Sequence, residues 1–244
     1  MEGKSCSILW KLSLFIKMRK SVLIVAPPFI PVSRDSVAGI EQMVYTLGKY
    51  LSLNGYDVST VAREDSRVYE KLIPGGFGDF KSSDGAELEH FNQAMSYEAS
   101  IIRNYIRGNS NLDAIIDRCE GISLQVSHEE NGPPVICGLD MEPKYFIDRR
   151  IFDEMRAKMA SRDDLFAAVS KHVAEDYTKV LSLDSDLRDR MNVVYNGIIT
   201  ENFPFSEKNE GYLLYLGRIR RGKAPHIAIK AAHDTGNRIV VAGG

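Results

Sequence analysis

A basic turn between an apolar run and a helical pattern lies within residues 212–232 of the 244-residue sequence. In YLLYLGRIRRGKAPHIAIKAA, Arg218 and Lys223 flank a turn that also contains Arg220 and Arg221. An arginine binds two phosphate oxygens at once through its planar guanidinium, and a lysine supplies a compact positive charge. The turn is therefore suited to a diphosphate. An exposed basic loop without a ligand accounts for the same spacing equally well.

A second possible anion site lies at Gly39 in SRDSVAGIEQ, directly before another helical pattern. The first N–H groups of a helix have no intrahelical partner and carry partial positive charge, so they attract phosphate or sugar oxygens. We expect Asp35 or Ser36 to cap this helix. The stretch contains no G-x-G-x-x-G, which counts against a standard dinucleotide site, and an ordinary tight turn is the simpler local interpretation.

The composition excludes several classes of site. The 3 cysteines and 5 histidines show no C-x-x-C or Cys/His ligand spacing, so we expect neither a disulfide framework nor a metal site. We interpret His128, in an expected loop, and His172, in SKHVAEDY, as ordinary surface side chains. With 31 Lys+Arg against 33 Asp+Glu, no net field would attract nucleic acid, and anion binding must be local. A reducing cytoplasm is the expected location.

The N-terminal stretch SCSILWKLSLFIKMRK is the one segment that suggests a membrane. A lysine divides its apolar run, which is shorter than the roughly 20 residues that span a bilayer, and no small-residue cleavage site follows. We interpret residues 1–17 as an extension, either an extra helix or a non-native start. A peripheral membrane contact through residues 6–17 is the alternative. The domain itself is expected to begin at Met18.

Alternating strand and helix patterns position these residues. SVLIVAPPF is a continuous apolar run closed by prolines, which is typical of a central parallel strand. A helix from Gly39 and a strand at 56–63 complete a βαβ unit, which predicts an open α/β sheet. Residues 64–85 read as an irregular surface excursion. Further strands are expected at 112–117, 133–139, 165–170 and 191–198, and further helices at 86–108, 152–163 and 171–181.

The polar stretch TENFPFSEKNEG, residues 200–211, is expected to link two domains. After it the pattern begins again with a buried strand, a helix and a second strand. The segment 212–244 is too short to bury a domain core, so we expect the truncated start of a larger domain.

Four stretches occur in order along residues 18–244: VLIVAPPFIPV…AGIEQMVYTLGKYLSLNGYDVSTVA, LFAAVSKHVAEDY, VVYNGI…ENF and YLLYLGRIRRGKAPHIAIKAA…RIVVAGG. Together they resemble the retaining glycosyltransferases of family GT4, which have the GT-B architecture of two Rossmann-like domains. The resemblance implies an acceptor-side Rossmann-like domain at 18–199, a linker at 200–211, and the start of a donor-binding domain at 212–244.

The resemblance also implies roles for individual residues. Gly39, with Ala38 and Glu41, corresponds to the glycine loop that approaches the donor phosphates. Gly217, Arg218 and Lys223 correspond to the segment that grips the donor diphosphate. Asp140 stands where the family often has an acceptor-side histidine and is the candidate catalytic residue. Tyr195 and Ala224 depart from the family, which commonly has histidine and glycine there.

The implied reaction transfers a sugar from a nucleotide-activated donor to an acceptor hydroxyl with retention of configuration. The nucleotide sugar is a co-substrate, so no cofactor is expected, and the acceptor is a sugar, a lipid or a small molecule. Arg218 and Lys223 would stabilise the leaving diphosphate without a metal. The sequence ends before the family's segment with two glutamates, which binds the donor sugar. Two alternatives are a GT-B sugar-nucleotide epimerase and a non-catalytic remnant that binds an acceptor or a partner protein.

Overall fold

The structure is a computed structural model that describes residues 19–36, 38–75, 87–119, 121–143, 157, 163–208 and 210–243. The chain divides into two compact units, of which the first ends at Ile198 and the second begins at Ile199. The expected limits of the linker stay a prediction. Residues 1–17, with the suggested membrane contact, and nearly all of the helix expected at 152–163 lie outside the described residues.

The first unit contains one sheet of seven parallel strands in the order β3-β2-β1-β4-β5-β6-β7. This confirms the predicted α/β fold with a parallel sheet. The strands are β1 (Ser21–Val25), β2 (Asp57–Arg63), β3 (Lys71–Gly75), β4 (Leu112–Asp117), β5 (Val135–Leu139), β6 (Leu165–Ala168) and β7 (Met191–Val193).

Five helices of the first unit are described. They are α1 (Gly39–Leu53), α2 (Glu87–Gly108), α3 (Ile122–Glu129), α4 (Lys171–Val180) and the single turn α5 (Ser185–Arg188). The Ser170 hydroxyl accepts a hydrogen bond from the Val173 N–H and caps α4. None of the described helices is both long and apolar enough to cross a membrane.

The central strand β1 is apolar on both faces because a hydrophobic layer covers each of them. Leu23 and Val25 point into one layer, which includes Ile115 of β4. Ile24 points into the other, which includes Val44 of α1. Successive side chains of a strand point to opposite faces, so burying both faces requires the continuous apolar sequence of β1.

Several elements differ from the sequence expectation, and three of them concern the sheet and its candidate residues. Strand β3 lies inside the segment 64–85 that was expected to be irregular. It forms the edge of the sheet, where Pro74 costs no hydrogen bond to a further strand, and its apolar pattern is correspondingly weak. Helix α3 was not expected, and it places His128 in a helix rather than a loop. Strand β7 ends at Val193 instead of reaching residue 198.

The second unit contains two parallel strands, β8 (Leu213–Leu216) and β9 (Ile239–Ala242), joined through helix α6 (Pro225–Asp234). The expectation that β8 is buried is wrong, since Leu214 is 57% exposed and Leu216 is 77% exposed. Within the described residues β8 pairs only with β9, and one strand and one helix do not cover its apolar side chains.

Candidate functional site

A cavity of about 160 Å³ lies at the carboxyl ends of β1, β4 and β5. The chain extends the sheet from β1 through β2 to β3 on one side and from β4 onward on the other, so the strand order reverses between β1 and β4. Open α/β sheets bind ligands at such a switch point. The cavity lining includes Pro27 after β1, Arg118 and Cys119 after β4, and Asp140 and Met141 after β5.

Asp117, the last residue of β4, holds the turn that follows it. Its Oδ1 accepts a hydrogen bond from the Cys119 N–H at 2.6 Å, and its Oδ2 accepts one from the Ser123 N–H at 2.6 Å. Complete burial raises the pKa of the Asp117 carboxyl, and the backbone N–H donors oppose that shift. The carboxyl thus fixes the path of the backbone from Arg118 into α3.

Arg118 reaches across β5 to Asp140. Its Nη2 donates to Asp140 Oδ1, and it lies 3.4 Å from Asn196 Oδ1. The guanidinium lies directly over Gly138, where an added Cβ would stand 2.6 Å from Arg118 Nη1. A side chain at 138 would therefore displace the Arg118 guanidinium from its present position.

Burial acts against the charges of both members of this pair. It lowers the pKa of Arg118 and raises the pKa of Asp140, while their mutual attraction favours the charged form of each. The second oxygen of Asp140, Oδ2, has no hydrogen-bond partner among the residues that the structure describes. Asp140 therefore lies on the cavity wall with one carboxylate oxygen engaged, and its catalytic role stays a prediction.

The loop before α1 differs from its expected arrangement. Ala38 is the N-cap residue, and no side chain caps the helix, so the prediction of a cap from Asp35 or Ser36 is wrong. The Ser36 hydroxyl instead donates to the Pro31 carbonyl at 2.6 Å, which closes the loop on itself.

Gly39 is the first residue of α1, and a Cβ placed on it would meet no atom within 4 Å. Glu41, two residues further along the helix, is only 4% exposed and lines the cavity. The helix start therefore leaves room for a group to approach its backbone at Gly39, as the sequence interpretation requires. Whether donor phosphates occupy that room stays a prediction.

The basic turn of the second unit follows β8 and precedes α6. Arg218 and Lys223 are exposed, and no ion pair of either residue is formed with another described residue. Tyr215 Oη lies 3.1 Å from the carbonyl oxygens of both residues, so its single proton can serve either carbonyl. One hydroxyl thus holds the two ends of the turn together while both cationic side chains face solvent.

The two histidines that the sequence singled out have different surroundings. His128 Nε2 lies 3.1 Å from Asp164 Oδ2, and the other oxygen of that buried carboxyl accepts the Val135 N–H. His128 therefore supports β5. His172 is exposed on α4, and its ligand atom lies within 4.8 Å of those of Glu142 and Asp176. Clusters of exposed acidic groups are common without a metal, and we assign none here.

Arg118 is the site residue that sequence reasoning missed. The available signal was the polar pair Asp117-Arg118 at the end of an apolar strand, since carboxyl ends of parallel strands carry ligand sites.

No protein-family model matches this chain, and no curated protein matches it either. Solved structures do match its fold. The Anabaena protein Alr3699/HepE in complex with UDP and glucose superposes with a TM-score of 0.62 at 12% identity, over 90% of this chain and 59% of HepE. The catalytic domain of starch synthase IV from Arabidopsis thaliana, bound to ADP and acarbose, gives 0.65 at 12% identity, over 92% and 68%. The N-terminal domain of Candida albicans trehalose-6-phosphate phosphatase gives 0.56 at 13%, over 93% and 64%.

At these identities the likeness establishes the fold, which is that of the GT-B glycosyltransferases, as the sequence predicts. The structural likeness is to nucleotide-sugar glycosyltransferases, some of them bound to UDP or ADP. The chain spans 59% of the length of HepE. One of the three structures described above is named for a phosphatase, so likeness alone does not decide the reaction.

Proposed function

We propose that this chain is a glycosyltransferase, or the part of one, that transfers a sugar from a nucleotide-activated donor to an acceptor hydroxyl. The observation that carries the proposal is the exposed basic turn at the start of α6, with Arg218 and Lys223 held at its two ends by Tyr215. Two solved structures with this fold are bound to UDP or ADP, which supports the diphosphate of a donor as the ligand of this turn.

Charge development in the reaction explains the need for these two residues. As the bond from the sugar to the diphosphate breaks, negative charge grows on the leaving phosphate oxygen. Arg218 can bind two phosphate oxygens, and Lys223 adds a second positive charge, so both stabilise the transition state more than the bound donor. Gly217 lets the backbone approach the same group, and Ala38 and Gly39, with Glu41 in the first turn of α1, are proposed to approach the donor phosphates.

The acceptor is proposed to bind in the cavity of the first unit. Asp140 lies on its wall with Oδ2 available, so it can accept a hydrogen bond from an acceptor hydroxyl. Arg118 keeps Asp140 in place. The proposal also covers the details of the reaction: configuration is retained, the transferred sugar is a hexose, and no metal or cofactor takes part. It further includes membership of family GT4 and a cytoplasmic location.

The test measures nucleoside diphosphate release by the protein in its full natural length, with a panel of nucleotide sugars and acceptors. In the Arg218→Ala variant we expect a loss of about 2 kcal/mol or more of transition-state stabilisation, measured as kcat/KM. Lys230→Ala is the matched control, because it removes a cation from α6 that pairs with the exposed Asp234. The anomeric signals of the product in NMR report whether configuration is retained.

The outcomes separate the competing functions. Absence of nucleotide release with every donor and acceptor would contradict a transferase and leave a non-catalytic binding protein. Conversion of the nucleotide sugar to its epimer would indicate an epimerase. Equal turnover of the Arg218→Ala variant and the unaltered protein would remove the diphosphate role of Arg218.

A further inference from the structure

The cavity at the switch point is apolar over most of its wall. Among the described lining residues, charged side chains come only from Glu41, Arg118 and Asp140. The remainder is aliphatic, aromatic, sulfur-bearing or glycine, and includes Pro27, Phe29, Ile30, Ile40, Leu139 and Tyr177. Pockets of this composition bind apolar bodies and use their few polar groups for orientation.

The size of the cavity limits what enters it. Its volume of about 160 Å³ is close to the roughly 150 Å³ of an apolar protein cavity that holds benzene. A hexose would bring several hydroxyl groups, each needing a partner, into a wall with few polar atoms to receive them. Burying hydroxyls without partners opposes binding. The cavity therefore fits one ring without polar substituents better than a sugar.

Four sulfur-bearing side chains favour an aromatic ring over an aliphatic one. Met95, Met141, Cys119 and Cys137 all line the cavity. Thioether sulfur makes favourable contacts with aromatic ring edges, and unbranched methionines adapt to the shape of a ring. Neither Cys119 nor Cys137 is disulfide-bonded, and Cys119 Sγ lies 3.7 Å from Met95 Sδ, so these two sulfur atoms share one part of the wall.

The polar end of the cavity is formed by Arg118 and Asp140, and Glu41 is the third charged residue of the lining. Arg118 Nη2 is engaged by Asp140 and Asn196. Asp140 Oδ2 is the carboxylate oxygen with no partner among the described residues, and it can accept one O–H. An apolar ring with a hydroxyl at one end matches this division into an apolar wall and a polar end.

We infer that the acceptor is a phenol or another ring-bearing alcohol, with its ring in the apolar cavity and its hydroxyl directed to Asp140. That this ligand is the acceptor of the reaction rests on the proposed function, whereas its chemical class follows from the cavity itself.

Binding to the full chain without any nucleotide sugar tests the ligand class, using phenol, octan-1-ol and glucose as probes in ligand-observed NMR. We expect saturable binding of phenol and no binding of glucose over the same concentration range. Met141→Trp, which fills the cavity from a partly exposed position, should weaken phenol binding at least tenfold. Leu165→Trp is the control, since Leu165 is similarly exposed and lies outside the cavity lining.

A second measurement does not depend on the variants folding. In protein labelled at its methionine methyl groups, phenol should shift the resonances of Met95 and Met141 and leave that of Met191 unchanged. Binding of glucose but not phenol, binding of octan-1-ol but not phenol, or unaltered Met95 and Met141 signals would each overturn the inference.

The inference and the proposed function fail separately. Phenol binding together with no nucleotide release from any donor would contradict the transferase and leave the ligand class standing. Transfer to sugar acceptors by a protein that does not bind phenol would contradict the ligand class and leave the transferase standing.

Discussion

Glu98 is the most unusual single residue of the first unit. It lies on α2 with 0% exposure, and neither carboxyl oxygen has a hydrogen-bond partner among the residues described. Burial, with the nearby Asp117 carboxyl adding to it, raises the pKa of Glu98 from 4.5 to about 9. Since a buried charge without a partner is very unfavourable, Glu98 is protonated at neutral pH.

A pH-dependent stability follows from Glu98. Between its unfolded pKa of 4.5 and its folded pKa of about 9, the folded state binds more protons than the unfolded state. Its contribution to the free energy of unfolding is therefore fully present below pH 4.5 and falls as pH rises, by up to about 1.4 kcal/mol per unit.

The Glu98→Gln variant, which is neutral at every pH, should lose this slope and be more stable than the parent at pH 8. Urea unfolding at several pH values between 5 and 9 measures the difference. Glu175→Gln, at an exposed position of α4, serves as control and should keep the parent slope. An unchanged slope in Glu98→Gln would show that Glu98 does not titrate in this way.

At the residue scale the sequence located side chains better than their contacts. Gly39, Arg218 and Lys223 could be singled out by type and spacing, and Asp140 by the family resemblance, and each occupies the element end where it was expected. The partner of Asp140 could not be found that way. Arg118 follows a different strand, and only the register of β4 beside β5 brings the two side chains together.

The start of α6 has a backbone conformation that its sequence does not favour. Ala224 adopts φ 55 and ψ 43, in the left-handed region where the resemblance would place a glycine. A residue with a Cβ is destabilised by about 1–2 kcal/mol in this region, and glycine removes that strain. Glycine also makes the unfolded chain more flexible, which offsets part of the stabilisation.

Ala224→Gly should therefore stabilise the second unit by up to about 1 kcal/mol. Amide hydrogen exchange in α6 measures the change. Ala231→Gly lies in the interior of the same helix and should instead destabilise it by about 1 kcal/mol. Equal effects of the two substitutions would mean that the conformation of Ala224 carries no cost.

Strands and helices were predicted correctly where burial leaves a strong apolar pattern in the sequence. They were missed where that pattern is weak. Strand β1 was found because its apolar run is continuous, and β4 because Ala114, Ile115 and Ile116 form a short apolar run. Strand β3 was missed because an edge strand with proline and glycine resembles a loop in sequence. Helix α3 was missed because it is a short helix of eight residues, whose turn is set by Asp117 rather than by a capping residue at its start.

The two units of the whole molecule differ in how much apolar surface each buries. The first has a hydrophobic layer on each face of its sheet. In the second, Ile199 and Ala232 are the buried apolar residues among those described, and the leucines of β8 are exposed. Because buried apolar contacts resist local opening, the units should differ in dynamics.

Amide hydrogen exchange on the intact protein should therefore be slow in β1 and β4 and much faster in β8 and β9. Repeating the measurement at several protein concentrations controls for self-association through the exposed leucines. Protection of β8 equal to that of β1 at every concentration would contradict the expectation and indicate that the apolar side chains of β8 are covered in solution.

Biosynthesis gives the strand order a further consequence. Strand β1 leaves the ribosome before the other strands of its sheet that are described. Strands β2 and β3 can join it on one edge, but β4 on its other edge begins only at Leu112. During that interval the nascent chain exposes an unpaired apolar edge, which chaperones recognise. The cavity draws its lining from Pro27 to Tyr177, so it forms only after most of the first unit has been synthesised. A ligand of the cavity would thus bind only to chains whose first unit has already folded.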